Sequence, residues 1–373
     1  MRLPPWVALL MGSLFLFSAA ACTPAADSTS RAESPTEGPR KELKSTSATL
    51  NPTITETLTP TVIPLSSTPL SPTPKQPTIT PSSSPTPTPC SSDVCIYSGQ
   101  FFLERPIKKP GDDVVDPTYR FGTTQGKRRE PHHGVEMVNG FGTPVHAAAD
   151  GIVVVAGDDL EPVSPQGEWP LVYYGSFSNF YGNLVVIEHE VPGELLMVVR
   201  DYPQPVYTLY AHLSEISVAQ GELVKAGQEI GKVGITGVSM GSHLHFEVRV
   251  GENSYESARN PELWLAPHLD DNKQPNGGIA GRVVDQHGNV MAVSSVVVEH
   301  LPEGPDQTSD FEIYLLSYEE PDLIGQSPWK ESFAVGDLPP GSYRISFPYF
   351  GRQEFTIEVN PGKLSVVTMR MGD

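Results

Sequence analysis

The chain has 373 residues, with 25 Lys and Arg against 44 Asp and Glu, and a formal net charge of −19. Binding to polyanions depends on clustered cationic side chains, so this balance excludes nucleic acid as a partner on electrostatic grounds. The length accommodates about two domains, and no feature of the sequence indicates an oligomer.

Residues 1–21 run from Arg2 through the apolar stretch 7–17 to the small residues Ser18, Ala19, Ala20 and Ala21. This is the layout of a secretory signal peptide. A membrane-spanning helix needs roughly 20 apolar residues, more than this run supplies. Cys22 follows directly and resembles the lipidated cysteine of bacterial lipoproteins, although Ala19 stands where leucine is usual. The resemblance implies a membrane anchor through acyl chains at Cys22, each buried methylene contributing about 0.8 kcal/mol.

Residues 22–89 are dominated by Thr, Pro and Ser. Such a segment buries too little apolar surface to offset its ordering entropy, which predicts a disordered linker. Its proline content makes it stiff, with a reach of up to about 200 Å if fully extended. Cys90 and Cys95 come next, in CSSDVC. Outside the cell a local disulfide between them is expected. Two cysteines without a neighbouring His or Cys make a poor metal site.

From 90 to 268 the texture changes to short β-branched runs broken by glycine. GIVVVAG (151–157), NLVVIEHE (183–190), VYTLYAHL (206–213) and HLHFEVRV (243–250) read as strands. No stretch sustains a 3.6-residue apolar period, so the unit is expected to be mainly β, built on antiparallel sheet. Residues 158–180 are polar and rich in Pro, Gly and Ser, which predicts a long surface loop. A second β-rich unit, 277–372, follows the polar break DDNKQPNGG, and its closely spaced Gly and Pro turns predict a small β-sandwich. Its segment DLPPGSYRI resembles carboxypeptidase regulatory-like or transthyretin-like domains, and no catalytic constellation is present there.

Chemistry concentrates in three segments of the first unit: PHHGVEM with His132 and Glu136, LYAHLS with His212, and GSHLHFEV with His243 and His245. A strand puts residues i and i+2 on one face, so His243 and His245 project together. Two imidazoles on one face suit a metal site or an acid/base pair. His132, Glu136 and one of the HLH pair would give the three protein ligands of a catalytic zinc site. His146, His268, His287 and His300 read as surface or satisfied core histidines.

The order HHGVEM, FGTPVHAAADGIVVVAG, YGNLVVIEH, YTLYAHL, GELVKAGQEIGKVGITG and GSHLHFEV closely resembles lysostaphin-type (LytM-like) zinc endopeptidases over about residues 130–250. That resemblance implies one Zn2+ per chain and peptidoglycan peptides as substrate. It carries the metal ligands onto His132, Glu136 and His245, and the non-ligand active-site histidines onto His212 and His243. Glu136 departs from the family, which has Asp there. In this reading His243 assists proton transfer, while His212 stabilises an oxyanion or shares the proton work. All five residues lie within 96–268, so that span is expected to act as a catalytic unit by itself.

GELVKAGQEIGKVG has the Val and Gly spacing of lipoyl and biotinyl hairpins, which however have no use for HLH. A degenerate relative of the resembled family would be a non-catalytic wall-binding or amidase-activating module, but every ligand-type position here holds a competent side chain.

Overall fold

The computed structural model describes residues 93–98, 101–163, 171–191, 204–302, 308–318, 323–326 and 328–371. The expected signal peptide, the linker, Cys22 and Cys90 lie outside the described residues. Those described contain strands and two short 3-10 turns, Tyr255–Ser257 and Pro261–Leu263, and no α-helix.

The strand His243–Val250 shows how the sequence builds the sheet that carries the site. Its residues alternate apolar and polar, and alternate side chains of a strand point to opposite faces. Leu244, Phe246, Val248 and Val250 accordingly enter the main hydrophobic core. His243, His245, Glu247 and Arg249 take the other face. The strand pairs antiparallel with Val206–Ala211 along one edge, and with Val135–Val138 and then Ala258–Arg259 along the other. Asn183–His189, Gly151–Asp158 and Leu223–Val224 continue this sheet of seven strands.

The four expected strands are present, with one interruption. The run 206–213 breaks at His212, whose φ is 60°. An L-residue in this left-handed region costs roughly 1–2 kcal/mol, and here it turns the chain out of the large sheet. The next strand, Leu213–Ile216, belongs to a three-stranded sheet with Glu229–Val233 and Pro144–His146.

The C-terminal part has two sheets, of five and four strands. Between them pack Ile279, Val283, Val298, Phe333, Val335, Tyr343, Ile345 and Met369. Pairing is antiparallel except between Gly277–Val284 and Lys363–Arg370, which run parallel. Val94–Ser98 pairs with Lys363–Arg370, so the chain's first described strand extends the C-terminal sheet. Cys95, within that strand, is disulfide-bonded.

The two parts share one core. Leu103, Leu263, Trp264 and Leu265 cluster with Ala280, Trp329, Ala334, Leu364 and Val366. Polar contacts cross the same boundary: Glu262 accepts from the Gly336 amide at 3.0 Å. Asp337 binds His268 at 2.5 Å and Arg105 at 3.1 Å. The sequence alone suggested that residues 96–268 would suffice as a unit. A chain ending at Pro267 is instead expected to lose its stability, because four large apolar side chains would face water at about 2 kcal/mol each, against a total of roughly 5–15 kcal/mol. Thermal unfolding of the full and shortened chains checks this, and an equal midpoint would show that the shared core is dispensable.

Candidate metal centre

Glu136 lies on Val135–Val138, where Val135 and Met137 turn into the core and Glu136 takes the opposite face. Its cross-strand partner is His245, and His245 is also opposite Ala211, the residue before His212. Pairing of three strands therefore gathers residues more than a hundred positions apart in the chain. His132 enters one turn earlier, past Gly134. A Cβ at Gly134 would come within 2.6 Å of the Phe246 carbonyl and 2.9 Å of the His245 ring, so only glycine permits this approach.

His132 Nε2, Glu136 Oε1 and His245 Nδ1 form a nearly equilateral triangle. Its edges are 3.1 Å from His132 to Glu136, 3.1 Å from His245 to Glu136 and 3.2 Å between the imidazoles. Roughly 2.0–2.2 Å to each of three tetrahedral zinc ligands implies ligand separations of about 3.3–3.5 Å, close to these edges. The hydrogen-bond partners behind each ring fix which nitrogen carries its proton. His132 Nδ1 donates to the Tyr119 carbonyl at 3.0 Å, and His245 Nε2 donates to Glu247 Oε1 at 3.0 Å. In the neutral rings both remaining nitrogens therefore turn lone pairs toward the Glu136 carboxylate. Three acceptors converging in a buried place call for a cation, and two imidazoles with one carboxylate are a donor set suited to a single Zn2+.

The electrostatics express the same demand. Burial alone would raise the Glu136 carboxyl, yet the positive charge on a protonated His245 and the close approach of His132 and His243 hold it well below the usual carboxylate range. Burial opposes a charge on His245, but Glu136 and Glu247 raise its pKa to about 9, so without a metal a proton serves as the cation. Burial pushes His132 down and keeps it a neutral donor.

His243 and His212 stand beside this triangle. His243 Nδ1 donates to the Gly241 carbonyl at 2.8 Å, and its Nε2 lies 2.8 Å from Glu136 Oε2. The contact is short but lacks the direction of a hydrogen bond. His212 Nδ1 donates to the Thr236 carbonyl at 2.8 Å, and its ring centroid lies 4.8 Å from that of His243. Burial, reinforced by His245, pulls His212 down to about 3. A neutral His212 with its proton on Nδ1 presents a lone pair on Nε2.

All five histidine and glutamate residues singled out in the sequence are thus together, in a cleft of about 500 Å³. Tyr119, Arg129, Phe177, Phe180, Met240 and Tyr255 line its walls. Phe177 and Phe180 come from the 158–180 segment, whose Asp159 carboxylate accepts from the Tyr181 and Gly182 amides at 2.8 and 2.9 Å. Tyr119 stacks on His132, with ring centroids 4.0 Å apart. Cys95 belongs to the C-terminal sheet and takes no part in the site. His268 bridges Asp113 and Asp337 instead.

Sequence reasoning missed Glu247 and Arg249, which lie behind His245 on the same strand face. The period of two that paired His243 with His245 also includes 247 and 249, so that signal was present. Tyr181, which also contacts Glu247, opens the YGNLVVIEH segment, but no local period ties it to the His245 strand.

The protein is mainly β, with a buried His–Glu–His donor set suited to a metal under an open cleft. Residues 130–257 match the family model described as Peptidase family M23. Among curated proteins the chain is 33% identical over 155 residues to the DD-carboxypeptidase/endopeptidase Mpg of Neisseria meningitidis, covering 39% of this chain and 28% of that protein. It is 33% identical over 170 residues to the peptidoglycan DD-endopeptidase ShyB of Vibrio cholerae, covering 43% of this chain and 32% of that protein. The chain thus spans about a third of the length of these relatives. The solved catalytic domain of the antimicrobial peptidase lysostaphin from Staphylococcus simulans is 30% identical, with a TM-score of 0.25, over 35% of this chain and 76% of that one.

Proposed function

We propose that this protein is a zinc-dependent endopeptidase that hydrolyses peptide bonds of bacterial peptidoglycan. The observation carrying the reading is the triangle of ligand-type atoms, His132 Nε2, Glu136 Oε1 and His245 Nδ1, at the floor of a cleft. The peptidoglycan-directed relatives support the substrate. When bound there, zinc would lower the pKa of a water to roughly 7 and polarise the scissile carbonyl. His132, Glu136 and His245 hold the metal in this reading. His243 is partly open to the cleft and turns its Nε2 lone pair inward, in position to accept a proton during the reaction. His212, its ring centroid 4.8 Å from that of His243, stabilises the developing oxyanion or shares that work. The cleft walls, including Phe177 and Phe180, orient the peptide and limit access of bulk water. Digestion of purified peptidoglycan with and without a chelator, followed by mass analysis of the fragments, tests the proposal. Cleavage at peptide bonds that stops on chelation and returns with zinc is expected, and undiminished cleavage under chelation would overturn it.

The signal-like residues 1–21, Cys22 and the Thr/Pro/Ser-rich segment support a lipid anchor and a tether that holds the enzyme outside the cytoplasm at the bacterial envelope. Cys22→Ala is expected to move the protein from the membrane to the soluble fraction, and unchanged membrane association would remove lipidation as the anchor. Cys90 is the partner assigned to Cys95, which peptide mapping without reduction tests. The peptidase part is assigned to 90–268 and the accessory sandwich to 277–372, with Val94–Ser98 contributed to the latter. Two packed sheets and the DLPPGSYRI crossing support a carboxypeptidase regulatory-like or transthyretin-like sandwich. An experimental structure with a different strand order would reject that likeness.

A further inference from the structure

Behind the metal centre lies a charged cluster that the hydrolytic chemistry does not use. Glu247 and Arg249 are both 0% exposed. A buried ion pair is often no more stable than apolar residues of the same volume, so its presence under His245 needs a reason other than packing. Glu247 Oε1 accepts from His245 Nε2 at 3.0 Å and from the Tyr181 hydroxyl. Glu247 Oε2 accepts from Arg249 Nε at 2.8 Å. Arg249 Nη2 donates to the Tyr181 hydroxyl at 2.9 Å and the Tyr174 carbonyl at 2.8 Å, and its Nη1 donates to Asn253 Oδ1 at 3.0 Å. Both carboxylate oxygens are therefore occupied from fixed directions.

We propose that Glu247, clamped by Arg249 and Tyr181, is the positioning residue that keeps the His245 proton on Nε2 and aims the Nδ1 lone pair at His132 and Glu136. An ionised carboxylate only accepts, so the opposite tautomer would set two acceptors against each other at 3.0 Å. The inference rests on the zinc reading of the site. It also has a consequence for the cleft. Arg249 grips the Tyr174 carbonyl, and Tyr181 follows Phe180, so one cluster orients a ligand and anchors the segment carrying Phe177 and Phe180.

Glu247→Gln keeps the shape but turns an amide nitrogen toward His245 once its oxygen faces Arg249, and this drives the proton to Nδ1. Zinc affinity, measured by competition with a chromophoric chelator, is expected to fall about 10–100-fold, the usual effect of losing a partner behind a metal-bound histidine. The hydrogen-bonded Nε2 proton of His245, seen by nitrogen-15 histidine NMR in the zinc-loaded full chain, should disappear. Glu247→Asp, which restores a carboxylate, should recover part of both readouts. Tyr181→Phe removes one clamp without altering the ion pair and should weaken zinc several-fold, which covers the case in which Glu247→Gln does not fold. Wild-type zinc affinity in a folded Glu247→Gln protein, or in Tyr181→Phe where the glutamine substitution is not tolerated, overturns the proposal. Failure of the zinc reading itself would be distinct, because the unaltered protein would then bind no zinc before any variant is compared.

Discussion

Glu136→Gln is expected to abolish most hydrolysis and to weaken zinc binding by more than about 100-fold, since even partners behind a ligand are worth about 10–100-fold. The substitution keeps the shape of the side chain but removes the negative charge at the point where three donors meet. It also lets an amide N–H face the lone pairs of His132 and His245, each 3.1 Å from Glu136 Oε1. Glu136→Asp should retain partial function. It restores the family's residue, but in a strand registered so that a longer side chain reaches both imidazoles. Zinc per chain and hydrolysis rate measured together decide the matter. A Glu136→Gln protein with a full equivalent of zinc and the wild-type rate would leave the metal with another third ligand.

His243→Ala should behave differently, keeping one equivalent of zinc while hydrolysis falls by about 10²- to 10⁴-fold, the usual contribution of a positioned acid or base. The distinction follows from geometry. His243 Nε2 meets the outer oxygen of Glu136, Oε2, whereas His132 and His245 meet Oε1. Its Nδ1 is engaged by the Gly241 carbonyl, which leaves Nε2 to take up a proton at the open side of the cleft. Loss of zinc from the variant would make His243 a ligand. A rate within about tenfold of wild type would instead remove it from proton transfer, where about 10²-fold or more is usual, and leave His212 as the remaining candidate.

The sequence by itself determined the local matters. Alternation in HLHFEVRV sets the strand and puts both histidines on one face, because a strand has a period of two whatever it packs against. The same local rule gave the β class, and the HHGVEM and LYAHLS segments gave the other site residues. Only the tertiary structure decided how these segments meet. Glu136 is opposite His245 and His245 opposite Ala211, and such register depends on pairing between distant strands rather than on any local period. The same holds for the tautomers, which are set by the carbonyls of Tyr119, Thr236 and Gly241 and by the Glu247 carboxylate. It holds too for the joining of Val94–Ser98 to Lys363–Arg370, nearly the whole described chain away. A polar break marks where a linker would be favourable, yet apolar residues from either side of it, such as Trp264 and Trp329, belong to one core, because burying them is worth more than keeping the two parts separate.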